Sequence, residues 1–378
     1  MPAPAFTTLS EAAGWFEAWL RDGALPLWAS AGVDRTRGGF HEALTPDGRP
    51  HRTMRRGRVQ ARQVWVFATA SQQGTLGDWR DVASQGFDLF VSDYRRPDGL
   101  FARLADQDGR IIDDTPAVYE QAFSLLAMAA LFAVDPSRKG LAAEGARTRK
   151  ALEARHNPAG GYEEFGDEHQ RYQANAHMHL LEASLAWEDA GEASWAALSD
   201  EIVGLAMRRF IDPERGFLRE FFDRSWTPLA EEGGLVEPGH QFEWAWLLDR
   251  WGRMREREDA VEAAHHLFAN GLRGVDVVRE VAVNALWEDL SPRDPTARLW
   301  PQTEHLKAAL LFGTQAQALR AAHGLAQYLD TPARGAWRDK MQVDGSFLEE
   351  PSPATSFYHV LGAVLPLLRH NDRLGPTR

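Results

Sequence analysis

Three stretches of the chain carry imidazole and carboxylate groups at spacings that could move protons. In EPGHQFEWAWLL (237–248), His240 and Glu243 are three apart and share a face if the run is helical, and Pro238–Gly239 place His240 in the first turn. A histidine with a carboxylate partner is an acid–base unit that titrates near neutral pH. In SPATSFYHVLGAVL (352–365), His359 opens another apolar run and has no polar partner nearby in sequence. In QANAHMHLLEA (173–183), His177 and His179 would chelate a metal from a strand. Met178, Leu181 and Leu185, however, recur at i, i+3 and i+7, which is helical spacing. Residues two apart on a helix are rotated by about 200°. His177 therefore turns away, to pack between helices or reach solvent, while Asn175, His179 and Glu182 form one stripe.

Similar polar starts recur on other helical runs. GRVQARQVW (57–65) puts Arg58 and Arg62 on one face, and the apolar residues that follow make burial, and hence a polar or anionic partner, a requirement for Arg62. AVYEQAFSLLA (117–127) opens with Tyr119 and Glu120; a carboxylate there also complements the helix dipole. RLWPQTEHLKAALL (298–311) places Trp300, Gln302 and Glu304 ahead of its apolar part, where Glu304 suits a capping role. No Asp/Glu/His cluster with metal-ligand spacing, glycine-rich phosphate loop or G-x-S-x-G elbow is present.

Positioning these groups requires about twelve helices, near 8–22, 58–73, 78–94, 117–134, 137–155, 173–190, 193–210, 239–254, 257–272, 300–312, 314–330 and 355–369. Between alternate helices lie segments of strand and turn character: RGGFHEALTPDGRP, PDGLFARLADQDGRIID, GGYEEF, RGFLREFFDRSWTP, VDVVREVAVNALWEDLSP and DGSFLEEPSP. The rhythm repeats about every sixty residues, as stacked helical hairpins do. Six hairpins closing into an (α/α)6 barrel, with the hairpin loops on one face, is the expected fold; an open solenoid would need capping ends. No linker interrupts the series, so residues 1–378 are expected to form a single domain. Even-numbered helices would line the barrel and present their starts at one mouth.

Composition narrows the function. The 378 residues carry a formal net charge of −12, which disfavours nucleic acid and anionic membrane as partners. Without cysteine there is no thiolate site or disulfide. The start lacks a signal-peptide pattern, and FSLLAMAALFAV (123–134) is too short to span a bilayer, so a cytoplasmic protein is expected. Fourteen Trp, several beside polar residues, suit stacking on sugar C–H faces.

The ordered motifs RVQARQVW, VYEQAFSLLA, NAHMHLLEA, GHQFEWAW, RLWPQTE and SFYH resemble the N-acylglucosamine 2-epimerase family, over about residues 15 to 368. The resemblance implies an (α/α)6 barrel acting on free aldoses without a metal or other cofactor. It implies His240 and His359 as acid–base residues acting through a ring-opened sugar and a cis-enediolate, with Glu243 beside them. Arg62, Tyr119, Asn175 and His179 would bind substrate, and Trp300 and Gln302 are expected to join them. His177 matches no catalytic position. RLWPQTE looks more like the mannose isomerase branch than the cellobiose epimerase branch. Interconversion of D-mannose and D-fructose, with D-lyxose and D-xylulose beside it, is therefore expected. The alternative is 2-epimerisation of mannose and glucose or of the N-acetylated pair. Arg55, Arg56 and Arg58 leave a phosphorylated sugar open. A glycoside hydrolase would need two opposed carboxylates, and binding alone would not need two histidines. The expected partner is a monosaccharide, on a monomer or homodimer.

Overall fold

A computed structural model describes residues 5–138, 140–163, 171–229 and 234–374. Twelve helices follow one another among these residues. α1 runs Leu9–Trp19 and continues through a π-helical turn, Leu20–Ala24, into Leu25–Ser30. The others are α2 (Gly57–Ser71), α3 (Arg80–Tyr94), α4 (Val118–Val134), α5 (Gly140–Leu152), α6 (Ala174–Asp189), α7 (Ala196–Leu205), α8 (Pro238–Arg255), α9 (Glu258–Leu272), α10 (Leu299–Phe312), α11 (Gln315–Tyr328) and α12 (Thr355–Leu374). The even helices pack in a ring, α2 on α4, α4 on α6, α6 on α8, α8 on α10, α10 on α12 and α12 back on α2. The odd helices pack outside them. This is the (α/α)6 barrel.

Burial pattern separates the two layers. α4 buries residues on every side, from Val118 and Glu120 through Leu131, because it touches inner neighbours and an outer helix. α9 buries one stripe, Ala260, Ala264, Leu267, Phe268 and Gly271, as an outer helix should. Connections out of the inner helices are short: Glu256 and Arg257 alone join α8 to α9. Connections into them are long and carry the two- and three-residue strands, so the hairpins gather at the end of the barrel where the inner helices begin. The end of the GGYEEF segment lies outside the described residues. Several hairpin turns need a left-handed residue, supplied by Gly48, Gly109 and Gly345, and by Trp226 and Leu290 in two others. Strands also link successive repeats. Arg55–Arg56, ahead of α2, pair with Leu104–Ala105, ahead of α4; Ser352–Pro353, ahead of α12, pair with Ala43–Leu44, ahead of α2, which joins the last repeat to the first.

One polar contact recurs around this rim. The Gln60 amide accepts from Phe40 N–H (2.8 Å) and donates to Phe40 C=O (2.9 Å). Gln121 does the same to Phe101, Gln241 to Leu218 and Gln302 to Ala282. Each is the fourth residue of its inner helix. In α6 that position is His177, whose Nε2 accepts from Tyr162 N–H at 2.9 Å while Nδ1 lies 3.2 Å from Gln173 O. In the sixth repeat Ser352 Oγ takes over, bonding both Trp337 N–H and C=O. His177 thus packs between elements, with no exposure to solvent.

Replacing Gln121 by Ala would leave two buried backbone groups unpaired, at about 1–3 kcal/mol each. Denaturant unfolding should show that loss, and His177→Gln should unfold close to the parent because glutamine serves this position in four other repeats.

Candidate active site

The hydrogen-bonded clamp positions set which residues face the axis. The second residues of α2, α4, α6, α8 and α10 are Arg58, Tyr119, Asn175, Gly239 and Trp300, with Thr355, the first of α12, in the equivalent place, and those four further on are Arg62, Phe123, His179, Glu243, Glu304 and His359. Seven beyond the first ring lie Trp65, Leu126, Glu182, Trp246, Lys307 and Gly362. This i, i+4, i+7 stripe is the one that singles out Asn175, His179 and Glu182 in sequence. Most residues of the first two rings line a cavity of about 830 Å³ at the hairpin-bearing mouth, with Arg62, Tyr119, Asn175, His179, His240, Glu243, Trp300 and His359 all on its wall. Six helix N-termini converge there, and their partial positive charge favours an anion in the cavity.

Gln302 is not on that wall. Its amide is consumed by Ala282 and by Arg298 C=O (2.7 Å), so the expectation that it binds substrate is corrected: the fourth helical position points away from the second and sixth. The expected His240–Glu243 pair does not form either. His240 Nδ1 lies 2.8 Å from both Glu220 and Glu237, which come from the preceding rim segment, leaving Nε2 for the cavity. Glu243 instead lies 3.8 Å from His179 Nδ1, and neither of its buried oxygens has a hydrogen-bond partner. Gly239 lets the Trp300 ring close on the start of α8, where a Cβ would meet it at 2.5 Å, and that ring sits 4.9 Å from His240.

His359 does have a partner, from α10. Its Nδ1 is 2.9 Å from Glu304 Oε1, and Glu304 Oε2 accepts from Lys307 Nζ at 2.7 Å. Glu304 is therefore no cap. His179 Nδ1 contacts Glu182 at 3.2 Å, and Glu182 also accepts from the Tyr358 hydroxyl. Arg62 donates to the Tyr119 hydroxyl (2.8 Å) and to Thr355, with its guanidinium 4.0 Å over the Phe123 ring. Of the arginines left open for phosphate, Arg55 is buried against Asp34 outside the cavity, Arg56 pairs with Glu42 and Arg58 with Glu120.

Electrostatics divide the two histidines. Burial pushes the His359 imidazole down to about 4, against the partial support of Glu304, so it is neutral at pH 7. Burial also opposes charge on His240, but Glu220 and Glu237 outweigh it and hold His240 well above the ordinary range. Burial, with Glu304 beside it, holds the Glu243 carboxyl well above its ordinary range. Burial would raise Glu304, yet Lys307 and His359 bring it down to about 2. The cavity thus presents two imidazoles shifted in opposite directions, together with Arg62. Among the described residues, three groups of donor atoms come within 4.8 Å of one another: His179/Glu182/Glu243, Glu220/Glu237/His240 and Glu243/Glu304/His359. In each, imidazole and carboxylate already face one another, and Lys307 and His240 supply positive charge.

The residues that sequence reasoning missed are Glu220, Glu237 and Glu304 as partners of histidine. For Glu304 a signal was present: Lys307, three residues on, is a charge inside the apolar run HLKAALL.

Among known proteins, the family model for N-acylglucosamine 2-epimerase (GlcNAc 2-epimerase) matches residues 38–363. A protein of Rhizobium meliloti (strain 1021) named mannose-6-phosphate isomerase is 47% identical over 372 residues, covering 94% of this chain and 96% of its own. A D-mannose isomerase of Thermobifida fusca is 27% identical over 353 residues, covering 82% of this chain and 84% of its own. A solved D-mannose isomerase structure superposes with TM-score 0.85 at 21% identity, covering 98% of this chain and 100% of that one, a likeness of fold.

Imidazole NMR checks the charge assignment. The His359 signals should titrate near pH 4 and the His240 signals well above 6.5; a His240 midpoint at the ordinary value near 6.5 contradicts it.

Proposed function

The chain belongs to the N-acylglucosamine 2-epimerase family, and on that premise we propose that this sugar isomerase or epimerase interconverts D-mannose and D-fructose, with D-lyxose and D-xylulose as a second pair. The carrying observation is the unequal surroundings of its two cavity histidines: His240 Nδ1 lies 2.8 Å from two carboxylates, whereas His359 faces one, Glu304, which also pairs with Lys307.

With ring-opened mannose in the cavity, His359 Nε2 takes the C2 proton. The C–H pair becomes the C1=C2 bond, and the carbonyl pair moves to O1, which takes a proton from His240. The resulting cis-enediol then gives its O2 proton to His240, the C2=O bond forms, and C1 receives the proton from His359. Both histidines end as they began. Negative charge developing on oxygen is met by His240, Arg62 and the helix N-termini, donors already in place before reaction. Metal independence is part of this proposal, because these groups supply the charge that a Lewis acid would.

A 2-epimerase using both histidines at C2 would end each turnover with His359 protonated and His240 neutral. Glu220 and Glu237, at 2.8 Å from His240, oppose that state, which favours the isomerase. A cytoplasmic location is part of this proposal. A 6-phosphate substrate is the second reading: Arg58, Arg103, Arg293 and Arg298 line the cavity, and the Rhizobium meliloti relative carries the mannose-6-phosphate isomerase name.

Incubation with D-mannose deuterated at C2 tests the scheme. Fructose carrying deuterium at C1 is expected, EDTA should leave the rate unchanged, and His359→Asn or His240→Asn should each lower kcat by about 10²–10⁴-fold. Glucose as the main product would favour the epimerase, and a higher kcat/KM for mannose 6-phosphate would favour the phosphorylated substrate.

A further inference from the structure

A buried cation lies behind the cavity wall, apart from its lining. Lys307 is 6% exposed and sits on α10 three residues after Glu304, with its ammonium over the Trp246 ring at 4.5 Å. It does not line the cavity and would not touch a sugar. Its nearest anion is Glu304, at 2.7 Å, whose other oxygen is 2.9 Å from His359 Nδ1. A cation, a carboxylate and an imidazole thus stand in series, ending at the cavity.

We propose that Lys307 is a positioning residue of the acid–base site: it holds Glu304 as a carboxylate behind His359, so that Nδ1–H donates to Glu304 and the Nε2 lone pair faces the sugar. The activity part of this proposal rests on the isomerase reading above; the structural part does not.

Burying a lysine costs several kcal/mol unless an anion compensates it, so its presence under an apolar run calls for a partner that needs it. Glu304 is that partner. Its surroundings are otherwise unfavourable to a carboxylate: it is 1% exposed, with the Glu243 carboxyl close beside it. The titratable and charged groups around His359 and Glu304 are Arg62 from α2, Tyr119 from α4, His179 and Glu182 from α6, His240 and Glu243 from α8, and Tyr358 on α12 itself. α1, packed behind α12, contributes the Trp28 ring against Phe357. Arg62 is committed to Tyr119 and Thr355, which leaves Lys307 as the cation hydrogen-bonded to Glu304.

Without the ammonium, the buried cluster regains neutrality by taking up one proton. If that proton goes to His359, the ring becomes an imidazolium and the base is gone. If it goes to Glu304, the carboxylic acid donates to Nδ1 and the ring's own proton moves to Nε2. Either way the lone pair is lost from the cavity side.

The test is Lys307→Met, which keeps the length of the side chain, read by ¹⁵N shifts of the His359 ring, assigned by their loss in His359→Asn. The parent should show an Nδ1–H neutral ring with a midpoint near 4. In Lys307→Met at pH 7 the ring should be either protonated or an Nε2–H tautomer. An unchanged tautomer and midpoint overturns the proposal, whether or not any sugar turns over. If the parent converts no aldose while the tautomer switches, the isomerase reading fails and the positioning role stands. Kinetically, Lys307→Met should lower kcat by about 10–100-fold, with KM little changed, a part of what a general base contributes. A double-mutant cycle covers a variant that does not fold. Glu304→Gln and Glu304→Gln/Lys307→Met should have equal kcat within about twofold, because Lys307 acts only through Glu304. A further loss in the double variant overturns the proposal.

Discussion

The architecture depends on one recurring need, to pair the backbone N–H and C=O of a residue that the rim loops drive into the core. Phe40, Phe101, Leu218 and Ala282 are fully or almost fully buried, three of them at isolated β-bridges and Ala282 in a two-residue strand. A primary amide offers one donor and one acceptor in the right spacing, and Gln60, Gln121, Gln241 and Gln302 provide it. Because each amide sits on the fourth residue of its helix, the clamp also fixes the rotation of that helix about its own axis. The opposite stripe then faces the barrel centre, and the six helices place their second and sixth positions in two stacked rings.

The groups on and beside those rings set the electrostatics of the cavity. The same depth of burial acts on His240 and His359, yet the two imidazoles are shifted in opposite directions. His240 faces two carboxylates from a loop, whereas His359 faces one carboxylate already neutralised by Lys307. Local charge balance, rather than exposure, separates the two imidazoles in one cavity. Glu243, with no hydrogen-bond partner among the described residues, is pushed well above the ordinary carboxylate range by burial. The floor of the cavity therefore carries few net charges although it contains many ionisable groups, which is what a buried site of this density must do.

Much of this was legible in the chain, and for a definable reason. The helix count, the alternation of long and short connections and the mouth at which the polar starts converge all follow from periodicities of 3.6 and of about sixty residues. Helical geometry alone separates His177 from His179, and the structure shows the cause: His177 takes the place of a clamping glutamine. The repeat also contained the clue to Gln302, since glutamine recurs at the same helical position in four repeats. A residue that recurs in register around a ring serves the ring, while the site is built from positions that differ between repeats.

By itself the sequence determined which faces of which helices are polar, because that depends on spacing along one element. Only the tertiary structure decided which polar groups meet. His359 has no partner within its own helix and finds Glu304 fifty-five residues away on α10; His240 has Glu243 in register and instead meets Glu220, twenty residues earlier. Those pairings depend on the packing of neighbouring helices and on the path of the rim loops, which no periodicity within one helix encodes, and with them go the opposite directions in which the two imidazoles are shifted.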